Sequence, residues 1–546
     1  MLIQPRPAQI RLAFFSLLIS PLWPFTLGPN SNMQPLIVGM VCAGLFMLCS
    51  PQGRLRAGSH WGMAGLLAIL GAHSLVISPA SWPLLLATLL ALGAFWLLAQ
   101  AAAGWQQVGK LHWIWLALLL AALLNSAIAA LQSQGWAAGL GPLVHPGHMQ
   151  RAFGNLRQPN QLATFTAMGF ALTVLLLPRW LALLSQRSWL QPVCMALCLA
   201  LLAFACAASG SRTGLLQWLL IWAVILLWGG LGLRHDASKS KVTAAWATVG
   251  VLLYGLSIWW LGQRAGSPLD GGALGRLADA GADARTLLWR NLLEVAAAQP
   301  WLGWGWGNLG WGLLNTPIQG PIFAPSVDNA HLLPLHLAVE LGWPLALLFC
   351  ALVGIWFWRR QPWRETRADQ QAALLILLAI GLHSLLEYPL WHAPFLFAAA
   401  IAFGVLAAKP QGACRAAQGQ RPFLYLGLIT LGLGLYWAQA WVRTVQIYLP
   451  ADARNDFFTR DANWMNANAR TWWFAPYANF AIMGLRPLNA ENARQELMRA
   501  QGLLHYSSEV AVLRRARDAA ALLGDEGLAS HYQQLIARRW PNAQTR

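Results

Sequence analysis

Apolar stretches about 20 residues long recur from the start of this chain to about residue 442, and that repetition decides the fold class. A stretch of this length matches the thickness of bilayer hydrocarbon. There every peptide N–H and C=O must be bonded within the segment, so an unpaired strand is excluded and a helix is required. Thirteen stretches qualify, centred near residues 20, 42, 70, 92, 122, 170, 200, 222, 253, 345, 380, 402 and 432 and separated by Pro, Gly and Arg. The chain is 57% hydrophobic and 10% charged, with a mean hydropathy of +0.47, which excludes a soluble multidomain enzyme. The expected fold is an all-α polytopic integral membrane protein with about 13 transmembrane helices.

A net charge of +18 would suggest nucleic acid in a soluble protein, but between membrane spans its placement matters more than its size. With the N-terminus cytoplasmic and the spans alternating, seventeen basic residues fall in inner segments, including all four lysines. Seven fall in outer loops: Arg151, Arg157, Arg212, Arg264, Arg276, Arg285 and Arg290. The other thirteen, all Arg, lie in the tail. That bias is the positive-inside pattern, and it predicts a multi-pass membrane protein whose partners include membrane lipid and exclude nucleic acid. Arg6 and Arg11 before an apolar run are signal-peptide-like, but Pro21, Pro24 and Pro29 stand where a cleavage site would be, so a retained first helix is expected. The seven cysteines show no disulfide framework.

Two domains follow: a transmembrane unit over 1–442, with long outer loops at 133–160 and 263–330, and a periplasmic helical region over 443–546. The latter opens with Trp464, Trp472, Trp473 and Phe474, then reads as amphipathic helices near 490–501, 509–522 and 525–539, in the manner of a tetratricopeptide unit.

Polar groups entering hydrocarbon are costly unless partnered, so their clusters mark candidate sites. Arg151, Arg157, Gln158, Asn160 and Gln161 crowd the end of the first long outer loop; Asn160 there reads equally as a helix cap. Arg212 sits in a corner of small residues, Ser209 to Gly214, and its planar fork suits phosphate, although a snorkelling arginine has the same pattern. In loop 263–330 an amphipathic stretch carries Arg285, Trp289 and Arg290. The run PWLGWGWG follows, whose glycines allow tight backbone and whose indoles can line a lipid path, stack on sugar or simply anchor at the interface. Asp328, Asn329 and His331 stand at the mouth of the next span with His336 and Glu340 inside it. His383, Glu387 and Tyr388 close the one after. Each span thus carries His and Glu four apart, hence on one helix face. A buried Glu–Arg pair explains Glu340 and Glu387 as readily as chemistry does. No HExxH, P-loop, Rossmann or GxSxG pattern occurs, so neither a metal nor a cofactor is expected.

In family order, GNLRQPNQLAT, Arg285…Trp289…Pro300-x-x-Gly-Trp-Gly, AHLLPLHLAVELG and HSLLEYPLWH resemble the bacterial O-oligosaccharyltransferases that glycosylate pilins and other exported proteins, within the superfamily of O-antigen ligases and polymerases. The tail is similar to the C-terminal region of the protein-glycosylating branch. The resemblance implies transfer of a preassembled oligosaccharide from undecaprenyl diphosphate to Ser or Thr on the periplasmic side of the bacterial inner membrane. It implies that His331, Gln158 and Tyr388 are catalytic. It further implies that Arg212 and Arg285 hold the donor diphosphate; from the polar clusters themselves, Arg151 is expected to join them and Asn160, Glu340, His383 and Glu387 to support the site. Where the family has asparagine directly after the histidine, this chain has Leu332, and Asn329 stands two before. Three other readings remain: a ligase or polymerase acting on lipopolysaccharide or another glycan; a transporter of lipid-linked glycan, although no repeated half is visible; and a non-catalytic scaffold with the helical tail as its docking surface.

Overall fold

The computed structural model describes residues 4–77, 82–145, 151–184, 189–230, 237–263, 281–409, 420–461, 463–471 and 473–540. Arg264, Arg276 and Trp472 lie outside them, as do parts of both long loops. Regular structure within these residues is helical, apart from one isolated bridge between Leu55 and Ala408. A helix covers every one of the thirteen apolar centres: α1 Pro7–Leu22, α2 Met33–Cys49, α3 Ala57–Ile77, α4 Trp82–Gln107, α5 His112–Ser133, α6 Pro159–Leu184, α7 Leu190–Ser209, α8 Arg212–Gly230, α9 Ala237–Gly262, α13 Trp343–Arg360, α14 Ala368–Ser384, α15 Ala393–Ala407 and α16 Gln420–Val445. Nine helices among the described residues are long and apolar enough to cross a membrane; α1, α2 and α15 are apolar but shorter. Between α9 and α13 come α10 Gly281–Ala298, α11 Leu309–Asn315 and α12 Leu333–Leu341.

The innermost of these helices is α6. Of its apolar stretch 89% is buried, so a side chain on it can be held rigidly from several directions. Pro159 opens α6 at a position where no N–H is needed. Lower down, Phe170 stacks flat on Trp218 of α8, with ring centroids 4.3 Å apart. Small residues let α5, α6 and α7 approach closely: Ala121, Ala122, Ala163, Ala167, Ala203 and Cys206 are all fully buried.

The two ends of the bundle differ. At one, the segments bearing Arg54, Arg56 and Lys409 are tied together: Arg56 N donates to Ala407 O, Lys409 N to Arg54 O, and Gln107 Nε2 to both Arg54 O and Lys409 O. At the other end meet the 23–32 turn, the 152–158 turn and residues 385–392. Gln132 pins the middle one, donating to His145 O and Gly154 O and accepting from the N–H groups of Phe153 and Gly154.

The apolar run centred at 345 is broken. Gly342, at φ +82°, separates α12 from α13, so His336 and Glu340 lie on a separate nine-residue helix instead of inside the span. The PWLGWGWG run repairs the break. Trp304 N donates to Val339 O, Gly305 N to Glu340 O, and Trp343 N to Pro300 O, each at 2.9 Å. A Cβ at Gly303 would lie 2.5 Å from the Glu340 carbonyl carbon, and one at Gly342 would lie 2.3 Å from Trp301 O, so this clasp requires both glycines. Two of the indoles are anchors: Trp304 Nε1 donates to Val295 O and Trp306 Nε1 to Thr88 Oγ1. Trp301 remains 75% exposed.

The amphipathic stretch in the second long loop is helix α10, which buries Leu288, Leu292, Val295 and Ala296 against Leu309, Leu313, Leu335 and Val339. Beyond α16 come α17 Asp456–Thr459, α18 Trp464–Ala469, α19 Ala475–Leu485, α20 Ala493–Leu503, α21 Val510–Leu522 and α22 Glu526–Arg539. The last three fall on the three amphipathic stretches read from sequence. They enclose a core of their own that takes in Leu314 of α11. The buried Arg539 donates to the carbonyls of Leu313 and Thr316, His505 Nδ1 meets Asn308 Oδ1 at 2.8 Å, and the hydroxyls of Ser326 and Ser508 are 3.1 Å apart. The tail therefore grips the segment that leads to His331.

Candidate active site

Glu387 is the hub. It lies three residues past the end of α14, yet its N–H still bonds to His383 O and it keeps the face expected from the four-residue spacing: Glu387 meets Asn160 and His383 meets Thr164, one turn apart on α6. One carboxylate oxygen, Oε2, is 2.6 Å from His331 Nδ1. The other, Oε1, accepts from Arg285 Nη2 at 2.8 Å and from Asn160 Nδ2 at 3.1 Å. The second residue of α6, Asn160, does not cap that helix: its Oδ1 accepts from Ser211 Oγ at 2.7 Å. Three segments distant in sequence thus converge on the Glu387 carboxylate.

Burial raises the Glu387 pKa, but the hydrogen bond from His331, the His331 charge and the Arg285 guanidinium outweigh it, and the net shift is downward. Glu387 is therefore an anion at neutral pH and can only accept, which makes His331 Nδ1 the donor. The lone pair of the neutral ring then lies on Nε2, in a side chain 31% exposed. His331 has φ +50°, an unfavourable region for a side chain of this size. Asn329 holds it there, since its Oδ1 accepts from His331 N at 2.8 Å; Trp289 Nε1 donates to the neighbouring Ala330 O at 3.0 Å. The asparagine two residues before the histidine is thus the brace of its turn.

Tyr388 meets the His331 ring edge to face, with centroids 5.2 Å apart. Burial and then the negative charges of Asp328 and Glu387 raise its pKa, so its hydroxyl keeps its proton and can donate. Gln158 stands at the mouth of α6, its carbonyl accepting from Leu162 N. The corner Ser209–Ser211 lies between two predicted arginines. Arg151 Nε donates to Ser209 O at 2.6 Å, and Arg212 is the first residue of α8, next to the Ser211 that bonds Asn160. Arg157, by contrast, is a structural tie. At φ +66° it donates to the carbonyls of Ser31, Trp23 and Phe25, and burial lowers its pKa to about 10.

Glu340 does not join this group through any polar contact. Its partner is His336, at 3.5 Å, and both side chains are almost fully buried. Glu387, however, does take the arginine partner that the pairing reading required. His383 bonds Thr164 Oγ1 at 2.8 Å, and Thr164 also bonds Gln217. The sequence reading had not singled out Thr164, Gln217 or Ser211 as partners of this site. An amide at position 217, inside an otherwise apolar run, was the available signal. Among the described residues no three His, Cys, Asp or Glu side chains are placed to hold a metal ion.

The comparisons with known proteins fall on the same segments. Residues 152–177 match the family described as protein glycosylation ligase, 197–350 that described as O-antigen ligase, and 371–546 that described as the C-terminal part of virulence factor membrane-bound polymerase. A general O-oligosaccharyltransferase of Acinetobacter baylyi (strain ATCC 33305 / BD413 / ADP1) is 28% identical over 298 residues, 54% of this chain. The chain spans about half the length of that curated relative. The helices make this a polytopic membrane protein, and the matches, each over part of the chain, make it similar to O-antigen ligases and protein glycosylation ligases.

Proposed function

We propose that this protein is an O-linked oligosaccharyltransferase that moves a preassembled glycan from undecaprenyl diphosphate to a Ser or Thr hydroxyl of a pilin or another exported protein. The observation that carries this reading is the shared carboxylate: Glu387 fixes the His331 tautomer on one oxygen and holds Arg285 on the other. His331 Nε2 takes the proton of the acceptor hydroxyl as its oxygen bonds to sugar C1. The bond from C1 to the diphosphate oxygen breaks, and the electron pair leaves with the lipid diphosphate. Arg285, with Arg151 and Arg212 flanking the adjacent corner, stabilises the negative charge that develops there. Tyr388 and Gln158 orient the donor by hydrogen bonds. Because guanidinium groups supply the positive charge and the diphosphate is already an activated leaving group, neither metal nor nucleotide is required.

The site lies at the bundle end opposite Arg54, Arg56 and Lys409, so the positive-inside rule assigns it to the periplasmic face of the inner membrane. The domain division follows the same logic: 1–442 carries the chemistry, and 443–546 forms a periplasmic helical region placed to receive the acceptor.

A ligase or polymerase that transfers to a lipid or glycan is the second reading, favoured by the descriptions of the families matched at 197–350 and 371–546. Purified protein in nanodiscs, given lipid-linked oligosaccharide with a pilin acceptor and in parallel with lipid A core or a second glycan, separates the two. A glycopeptide is the expected product. Product only with the non-protein acceptors overturns the proposal, and translocation of the donor without transfer would make the protein a carrier.

A further inference from the structure

Directly beneath the candidate site, three helices are fastened by a buried polar knot. Thr164 of α6 places its Oγ1 2.8 Å from His383 Nδ1 of α14 and 2.9 Å from Gln217 Nε2 of α8. The same amide nitrogen donates to Ala379 O of α14 at 2.7 Å. All three side chains have essentially no solvent exposure, and His383 Nε2 has no hydrogen-bond partner. Burying an imidazole, an amide and a hydroxyl in an apolar bundle costs free energy that packing alone would not demand.

Each knot residue sits just below a site residue on its own element. Thr164 is four residues from Asn160, and its hydroxyl also donates to Asn160 O. Gln217 is six residues from Ser211. His383 is four residues from Glu387, and His383 O accepts from Glu387 N at 2.8 Å. The knot therefore sets the relative register of the three elements that supply Asn160, Ser211 and Glu387. A slip of one element would separate the carboxylate from Asn160 and rotate it away from His331.

We infer that Thr164, Gln217 and His383 are positioning residues that act through Glu387 on the tautomer of His331. They touch neither substrate nor reacting atoms. The inference rests on the transferase reading for its kinetic consequence, but its structural half can be read without turnover.

The test uses full-length protein in nanodiscs with ¹⁵N-labelled histidine, the His331 signals being assigned by comparison with His331→Gln. Wild type is expected to show neutral His331 protonated on Nδ1. Thr164→Val should lose that tautomer preference and lower kcat about tenfold to a hundredfold with donor KM unchanged, in keeping with the cost of ångström-scale misplacement. Thr164→Ser, which keeps the hydroxyl, should restore both. If Thr164→Val does not fold, Gln217→Leu provides the same comparison. An unchanged tautomer in a folded valine or leucine variant would overturn the inference whatever happens to kcat. Wild type with the Nδ1–H tautomer but no glycan transfer to any acceptor would instead count against the transferase reading and leave the knot intact.

Discussion

His331 Nδ1 lies 2.6 Å from Oε2 of Glu387, which makes a histidine on one side of the bundle end and a carboxylate on the other a single acid–base unit. A lone imidazole samples both tautomers and several orientations. An anionic partner on Nδ1 removes that freedom and leaves the lone pair on Nε2. Glu387→Gln keeps the shape but loses the charge. Transfer should fall by about a hundredfold at neutral pH, mostly in kcat, while membrane insertion and thermal stability stay close to wild type. Steady-state kinetics with lipid-linked donor check this.

Gly342→Ala should be among the most damaging single-methyl changes in the chain. The new Cβ would meet Trp301 O at 2.3 Å at a backbone angle that alanine resists, and relief would open the clasp between the 300–305 turn and the break before α13. A loss of at least about 2 kcal/mol is expected. Thermal melting in detergent measures it, with Gly354→Ala as a control in open space.

Arg157→Ala should act on stability before activity. Removing the guanidinium leaves the carbonyls of Ser31, Trp23 and Phe25 without that donor, at a cost of about 1–3 kcal/mol. The expected signature is faster proteolysis of the 23–32 turn, with donor KM unchanged in protein that remains folded.

Acidification should weaken the fold around His392. Burial lowers its pKa from the ordinary 6.5 to about 4, against a smaller opposing effect of the Glu387 charge. Between those values the unfolded chain binds a proton that the folded one does not, so this contribution is full above about pH 6.5 and is lost as pH falls towards 4. His392→Phe keeps a ring beside Tyr388 and removes the titration. Its melting temperature should fall less than that of wild type over that range.

Much of the fold was legible because membrane-length apolar runs allow few alternatives, and every centre read from sequence carries a helix. The interruption before α13 was not. Gly342 looks like any other small residue in an apolar run until the PWLGWGWG backbone is placed against it. At the site, the arginine, histidine and carboxylate could be named because such groups are costly near hydrocarbon. Their pairing could not, since helical periodicity places Glu387 with His383 but says nothing of which distant segment brings His331 and Arg285 to it. Glu340 shows the periodicity working directly: it pairs with His336, four residues before it on the same helix.

In the proposed reaction His331 Nε2 removes the proton from an acceptor hydroxyl. The direct measurement is transfer of lipid-linked oligosaccharide to acceptor protein by His331→Ala in nanodiscs, with folding verified by its melting temperature. Donor binding should remain near the wild-type level because the arginines are intact, while glycosylated product should fall by about a thousandfold or more. Wild-type rates of product formation from the folded alanine variant would contradict the account.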